Sequence, residues 1–377
     1  MKSTLLLLTT AAAFSLVGCK DANTAGDIIV GEVASLTGDE ASFGNSSHNG
    51  TLLAIEELNA AGGLLGKKLK LVTEDNQSKK GESATATKKL ISQSKVVALL
   101  GEVASSRSLE MASICQQMKI PQISPSSTNP KVTQSGDYIF RVCFTDQFQG
   151  GDVLSKFALE SLKAKHVAII TDVSQAYSVG LTQYFKDKYL ASGGQIVAEQ
   201  KCASGEKDYK AQLTAIKGTN PEAIFLPVYY GPANLIAQQA RELGITVPLF
   251  GGDGWEAPEL LQGANGTLNG CVFSTHFSPD QDGAKAKEFV EKYTKRFGAK
   301  PDAMGALGYD SAMVLADAIK RAGTTDGSKV RDAIAATKDY EGVTGKMTLD
   351  AERNARKSAV MIEIKAGKFA YRETVNP

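Results

Sequence analysis

Apolar and polar positions along this chain switch between two periods. "DIIVGEVASL" (27–36) is a β-branched run of strand length, followed by the loop "TGDEASFGNSS". From His48 to Ala61, apolar residues at Leu52, Ile55, Leu58 and Ala61 recur every three positions. That spacing predicts a helix, stopped by Gly62 and Gly63. "KLKLVTED", "VVALLGEV" (96–103) and "IPQISP" read as further strands, with "GESATATKKLISQS" and "SSRSLEMASICQQMK" as the helices between them. After about residue 145 the rhythm restarts. "HVAIITD", "GGQIVAEQKC", "EAIFLPV" and "VPLFGGD" are strands, separated by the helices "VGLTQYFKDKYLAS", "YKAQLTAIKGT" and "PANLIAQQARELG". Two helices then follow with no strand between them, "AKAKEFVEKYTKRFG" and "GALGYDSAMVLADAIKRAG". "GKMTLDAERN" and "SAVMIEIKAGKFAYRET" read as closing hairpin strands. Strands that alternate with helices predict an α/β fold of two lobes, each a mostly parallel sheet covered by helices on both faces.

The first residues stand outside this pattern. Lys2 begins a positive segment, Leu5 to Val17 is apolar, and "LVGC" ends in small residues, so 1–18 reads as a signal peptide. Closure of the apolar run by Cys19 also has the form of a bacterial lipobox, in which that cysteine is lipidated. "KDANTAGD" (20–27) then serves as a tether. The expected location is the outer side of a bacterial membrane, with the lipid as the sole membrane contact. With 377 residues the chain has room for two cores, and its formal net charge of +1 offers no basic surface for nucleic acid. Cys115, Cys143, Cys202 and Cys271 show no metal-ligand spacing. In an oxidising compartment an even number suggests disulfides, and Cys202–Cys271 is the preferred pair because both fall in the same half.

Ligands of open parallel sheets bind beyond the carboxyl ends of the strands. In the first half those ends carry "TGDEASFG", "GEVASSRS" and "SPSSTNP", rich in hydroxyls. Ser105 and Ser106 open a helix, whose free N–H groups favour an anion, and Thr128 follows two serines in a tight turn. In the second half "DVSQAYSVG", "VYYGP" and "GGDGWE" bring Tyr177, Tyr229, Tyr230, Trp255 and Asp253. Hydroxyls facing a carboxylate and tyrosines suit a zwitterion. Each residue also has a plainer role: Ser105 as a helix N-cap, Ser126 to Asn129 as a polar turn, the tyrosines as packed lids and Asp253 as the cap of "WEAPELLQ". Signatures of hydrolases, nucleotide binders and metal enzymes are missing, and three histidines show no partner in the sequence.

In this order the loops resemble the leucine/isoleucine/valine-binding family of periplasmic solute-binding proteins. "ISPSSTNPKVT", "AGGLLGKKLKLVTED", "GEKDY", "LFGGDGW" and "ALGYDSAMVLADAI" carry the likeness, which runs from "IIVGEVASLTG" to "VMIEIKAGKF". The resemblance implies a type I periplasmic-binding-protein (Venus-flytrap) fold with three hinge crossovers. Its N-terminal lobe would comprise 28–146 plus 277–355, and its C-terminal lobe 147–276 plus 356–377. It implies a monomeric binder that is not an enzyme, takes no cofactor or metal, and passes a branched-chain amino acid to the permease of an ABC importer. Other small amino acids, aromatic carboxylates or a sensor role are the alternatives. Carried over by position, Ser105 and Thr128, with backbone at Ser126, match the carboxylate-binding positions. Tyr229 and Asp253 match those facing the ammonium, Phe43 and Tyr177 match aromatic positions, and Met304 lies near the side-chain pocket. This chain departs in having Asp253 for the family's usual glutamate, Phe43 for tyrosine or tryptophan, and Met304 for an aromatic residue.

Overall fold

The computed structural model describes residues 26–377; the expected signal peptide and Cys19 lie outside the described residues. Strands β1 (Ile28–Ala34), β2 (Leu69–Asp75), β3 (Ala98–Leu100), β4 (Gln122–Ser124) and β5 (Ile139–Arg141) form one parallel sheet, ordered β2-β1-β3-β4-β5. A second sheet holds β6 (His166–Asp172), β7 (Gln195–Cys202), β8 (Ala223–Phe225), β9 (Leu249–Gly251) and β10 (Val272–Thr275). The small antiparallel strands β11 (Tyr340–Gly342), β12 (Gly345–Leu349) and β13 (Ala355–Arg356) follow. Then β14 (Ala359–Lys365) and β15 (Lys368–Val375) return to the second sheet as an antiparallel edge, giving β15-β14-β10-β9-β8-β6-β7. The chain therefore passes between the sheets after β5, after β10 and before β14.

Helices cover both sheets: α1 (Ala41–Ala60), α2 (Glu82–Lys89), α3 (Ser105–Met118) and the short α4 (Lys131–Gln134) lie in the first lobe. The second lobe carries α5 (Ala176–Ala191), α6 (Lys210–Lys217) and α7 (Tyr230–Glu242), while α8 (Ala284–Phe297), α9 (Ala303–Ala322) and α10 (Gly327–Ala335) return to the first. The ends of α9 follow from local chemistry. The Asp302 carboxylate accepts from Gly305 N at 2.9 Å, which satisfies one of the unpaired first-turn donors. At the other end Gly323 adopts φ +64°, a left-handed stop that glycine enters without steric cost. Lys320 and Arg321 in the last turn complement the helix dipole. Between these ends Leu307, Val314, Leu315 and Ile319 are buried in the first lobe's core with Ile28, Val30 and Leu100 of its sheet.

The expected Cys202–Cys271 disulfide is not formed; all four cysteines of the described residues are free and buried. Cys202 ends β7 at one edge of the second sheet, whereas Cys271 precedes β10, with β9, β8 and β6 lying between those strands. At the usual strand spacing they stand roughly 19 Å apart, against a limit of about 7 Å between Cα atoms for a disulfide. Membership in one half of the sequence did not mean adjacency in the sheet. We expect a thiol count on the unreduced, denatured body of the protein to return all four; a lower count would show that the cysteines pair in some other way.

Candidate ligand-binding site

The carboxyl ends of the two sheets face each other. On the first lobe β3 delivers the chain to Ser105, the first residue of α3, and β4 delivers it to the turn Ser126–Asn129. Ser105 does not cap α3 as the sequence allowed: Ala104 occupies that position, and the Ser105 hydroxyl accepts from Asn129 N at 3.3 Å. Part of the hydroxyl cluster is structural. Ser127 Oγ, with one proton to donate, lies within reach of the carbonyl oxygens of Glu102 (3.0 Å) and Val103 (2.9 Å), and Ser124 Oγ donates to Glu102 O at 2.7 Å. Thr128 differs: its hydroxyl is fully buried, makes no hydrogen bond of ordinary length among the described residues, and lies beside the buried Asp146 carboxyl, which burial pushes up to about 8. Arg107, the nearby cation, is engaged by Glu40 at 3.3 Å and by the carbonyl of Ser78. Burial, reinforced by the Glu102 charge, pushes the Glu40 carboxyl up to about 7.

On the second lobe β9 ends at Gly251, and a single 3₁₀ turn, Asp253–Trp255, carries the acid into the interface. Gly252, not Asp253, caps this turn, and no side-chain cap bond forms, so the capping role open to Asp253 in the sequence is not taken. Its carboxylate is buried and accepts from Gln149 Nε2 (2.9 Å), His276 Nε2 (3.1 Å) and Ser126 Oγ (3.4 Å). The last of these reaches across from the first lobe. The flanking glycines are required by space: a Cβ on Gly252 would lie 2.6 Å from Tyr177 Oη, and one on Gly254 would lie 2.9 Å from both the Tyr177 and Tyr229 rings. Any side chain at either position would displace these tyrosines from the turn that carries Asp253.

Tyr177 and Tyr229 stack at 5.1 Å, and Gly254 N donates to the Tyr177 hydroxyl at 3.1 Å. The Tyr229 hydroxyl is buried with no hydrogen-bond partner among the described residues. Burial holds both phenols well above their ordinary range, so they stay protonated and can donate. Phe43 crosses from α1 to meet Tyr229 edge-on at 5.5 Å and Tyr230 at 4.9 Å. With Met304, at the start of α9, it joins a core cluster built mainly from the second lobe, including Trp255 and Leu226. The structure thus brings Ser126, Asp253, Tyr177, Tyr229 and Phe43 into one contact network, with Ser105 and Thr128 beside it and Met304 in the adjoining apolar cluster. A cavity of about 470 Å³ opens beside Tyr229, lined by residues of both lobes that include Glu40, Arg107, Gln175 and Glu259.

Two members of the network were missed in the sequence. Gln149 lies in a π-helical segment, Gln147–Leu154, which has neither a period of 3.6 nor one of 2. His276 follows β10, a strand not recognised in "CVFSTHFSP"; once that strand is identified, the strand-end rule points to the histidine. Its ring stacks on Phe144 at 3.7 Å. Burial lowers the His276 pKa, opposed by the Asp253 contact, and keeps the ring neutral. Nε2 then donates to Asp253, while Nδ1 is buried without a partner among the described residues. An Asp–His pair is therefore present, but no hydroxyl reaches the second nitrogen as an acyl-transfer triad needs. No cluster among the described residues has the three or more His, Cys, Asp or Glu side chains that could hold a metal ion.

A family model described as periplasmic binding protein matches residues 27–368, and the chain belongs to that family. The crystal structure of a leucine-binding protein from Thermotoga maritima superposes with a TM-score of 0.89 at 40% identity, covering 93% of this chain and 99% of that one. A branched-chain amino acid transporter substrate-binding protein from Streptococcus pneumoniae, solved in complex with isoleucine, gives 0.87 at 36% identity, covering 93% and 100%. An amino acid binding protein of Pseudomonas aeruginosa is 32% identical over 311 residues, 81% of this chain and 82% of its own. The two-lobed arrangement described above is the type I periplasmic-binding-protein fold.

Proposed function

We propose that this member of the periplasmic binding protein family captures a branched-chain amino acid between its lobes and presents it to the permease of an ABC importer. The observation that carries the reading is the placement of a buried carboxylate, Asp253, across the lobe interface from Ser105, Ser126 and Thr128. Burying both charged ends of a zwitterion is costly unless each meets its complement. In this reading Ser105, Thr128 and first-turn N–H groups of α3 receive the α-carboxylate, while Asp253 and the Tyr229 hydroxyl face the α-ammonium. Phe43, Tyr177 and Met304 wall the side chain, where each buried methylene adds about 0.8 kcal/mol. Gln149 and His276 hold the shorter acid in place on its far side. Because the ligand bridges two lobes, it binds their closed arrangement best and shifts the population towards it. The family's members are periplasmic binding proteins, and we read this chain likewise as a non-catalytic, extracytoplasmic binder. The "LVGC" that closes its apolar leader supports a lipid anchor at Cys19, and we take the mature protein to be a monomer.

A thermal-shift screen against the twenty amino acids and small aromatic acids tests the reading, since a ligand that binds only the folded state raises its stability. Stabilisation by leucine, isoleucine or valine is the expected result; a response only to aromatic acids, or to none, would overturn it. Ser105→Ala and Thr128→Ala should each weaken leucine binding by about 1.5–3 kcal/mol, as for one hydrogen bond to a charged group. Neither hydroxyl caps a helix, so ligand-free stability should fall by less than binding does: little in Thr128→Ala, and modestly in Ser105→Ala, which loses the long bond from Asn129 N. A loss of ligand-free stability matching the loss of binding would assign that residue to the scaffold.

A further inference from the structure

The segment that carries Asp253 makes two other contacts that leave its own lobe. Glu256 is buried; one carboxyl oxygen accepts from Ala303 N at 2.9 Å, in the first turn of α9, and the other pairs with the Thr275 hydroxyl. Glu259, half-buried, accepts from the Ser42 hydroxyl at 2.6 Å, in the first turn of α1. Helices α1 and α9 are the two 20-residue helices of the first lobe, and both present their N-termini to the cleft. The unpaired first-turn N–H groups of such helices take up a carboxyl oxygen. Burial and the neighbouring Asp302 push the Glu256 carboxyl up to about 8, so its hold on α9 is the hydrogen bond to Ala303 N, not the helix dipole. Asp253, Glu256 and Glu259 are spaced by three, so one short stretch of the second lobe meets the first at three points.

We propose that Glu256 and Glu259 latch the second lobe onto the N-termini of α9 and α1, and so set the affinity for every ligand alike. Neither is among the residues assigned above to the ligand, although Ser42 and Glu259 line the cavity beside Tyr229. This rests on the closing-lobe reading above. When only the closed state binds tightly, the apparent dissociation constant is the intrinsic one divided by the closed fraction. A contact made only between the lobes raises that fraction without reading the side chain. Phe43, Tyr177 and Met304 would change the ranking of ligands; the latch would change all of them by one factor. Both carboxylates could instead belong only to the second lobe's own packing. Ser42 separates the two cases, because it stands on the opposite lobe.

The test is calorimetry on the full mature chain with leucine, isoleucine and valine, using Glu256→Ala, Glu259→Ala, Ser42→Ala and the Ser42→Ala/Glu259→Ala pair. Each single variant should raise the three dissociation constants by a common factor of about five, and the pair should bind no more weakly than Glu259→Ala alone. If Glu256→Ala fails to fold, the half-buried Ser42 and Glu259 positions carry the test. Unchanged constants in Glu259→Ala and Ser42→Ala, or factors that differ among the three ligands, would overturn the latch. Wild-type protein that binds none of the three sinks the amino-acid reading. Small-angle scattering of the ligand-free proteins then decides the latch, and equal radii of gyration for wild type and Glu259→Ala would overturn it.

Discussion

Asp253→Ala is expected to weaken leucine binding by about 2–5 kcal/mol, the range for removing one partner of a buried charge pair. That corresponds to roughly thirtyfold to several thousandfold in the dissociation constant. The size follows from where the acid sits. It is 3% exposed and receives Gln149 Nε2 at 2.9 Å and His276 Nε2 at 3.1 Å, which fix its carboxylate at the interface with Ser126. Neither donor carries a full charge, as burial keeps His276 neutral. Neither contact supplies a cation to the acid, which leaves that place to a cationic ligand group. Alanine removes the acid and leaves a bound ammonium buried against two amide and imidazole donors. Asp253→Asn keeps the shape and loses only the charge, so it should share most of the loss. Calorimetry with leucine checks both variants; affinity within twofold of wild type in either would end the ammonium role.

Trp255→Ala should cost the ligand-free protein about 3–5 kcal/mol, the usual range for emptying a large buried aromatic site. The indole is fully buried, and its N–H donates to Leu226 O at 3.0 Å, tying the 3₁₀ turn to the end of β8. It packs with Phe273 of β10 and belongs to the second lobe's core together with Leu260 and Phe43. Alanine leaves both a cavity and a buried carbonyl without its donor. Since Asp253 and Trp255 share one turn, the loss should also loosen the acid and weaken binding. Trp255→Phe restores most of the volume but not the N–H, so it should fall between. Denaturant unfolding of the ligand-free proteins reads this directly; a loss below about 1 kcal/mol in the alanine variant would show that the tryptophan does not brace the turn.

Reading the chain alone placed the start of α1 too late, at His48 instead of Ala41. The reason lies in what that helix buries. Gly44, Ser47 and Gly50 are spaced by three and buried, so its first turns pack through small residues that a count of apolar positions does not register. Backbone comes so close there that a Cβ on Gly50 would lie 1.8 Å from Gly305 O of α9. Helix α10 was missed although its signal is present: Asp326 accepts from Ser328 N and Lys329 N at 3.1 Å each, and Val330 and Ile334 are the buried pair one turn apart. β5, at three residues, is too short to show a period.

Periodicity and residue type were enough to predict two α/β lobes, hydroxyl-rich strand ends in the first half and an acid among aromatics in the second, because these depend on neighbours within a few positions. Which of those groups meet depends on chain crossings that no local pattern records. Sheet order separates Cys202 from Cys271, although they share a lobe. The two lobes' contact brings Ser126 to Asp253, and the passages between sheets bring Gln149 and His276 to the same carboxylate. Local sequence left Asp253 open between capping a helix and facing a ligand. Burial among donors contributed from positions far along the chain removes the first role, since a carboxylate held this way points into the interface and caps nothing.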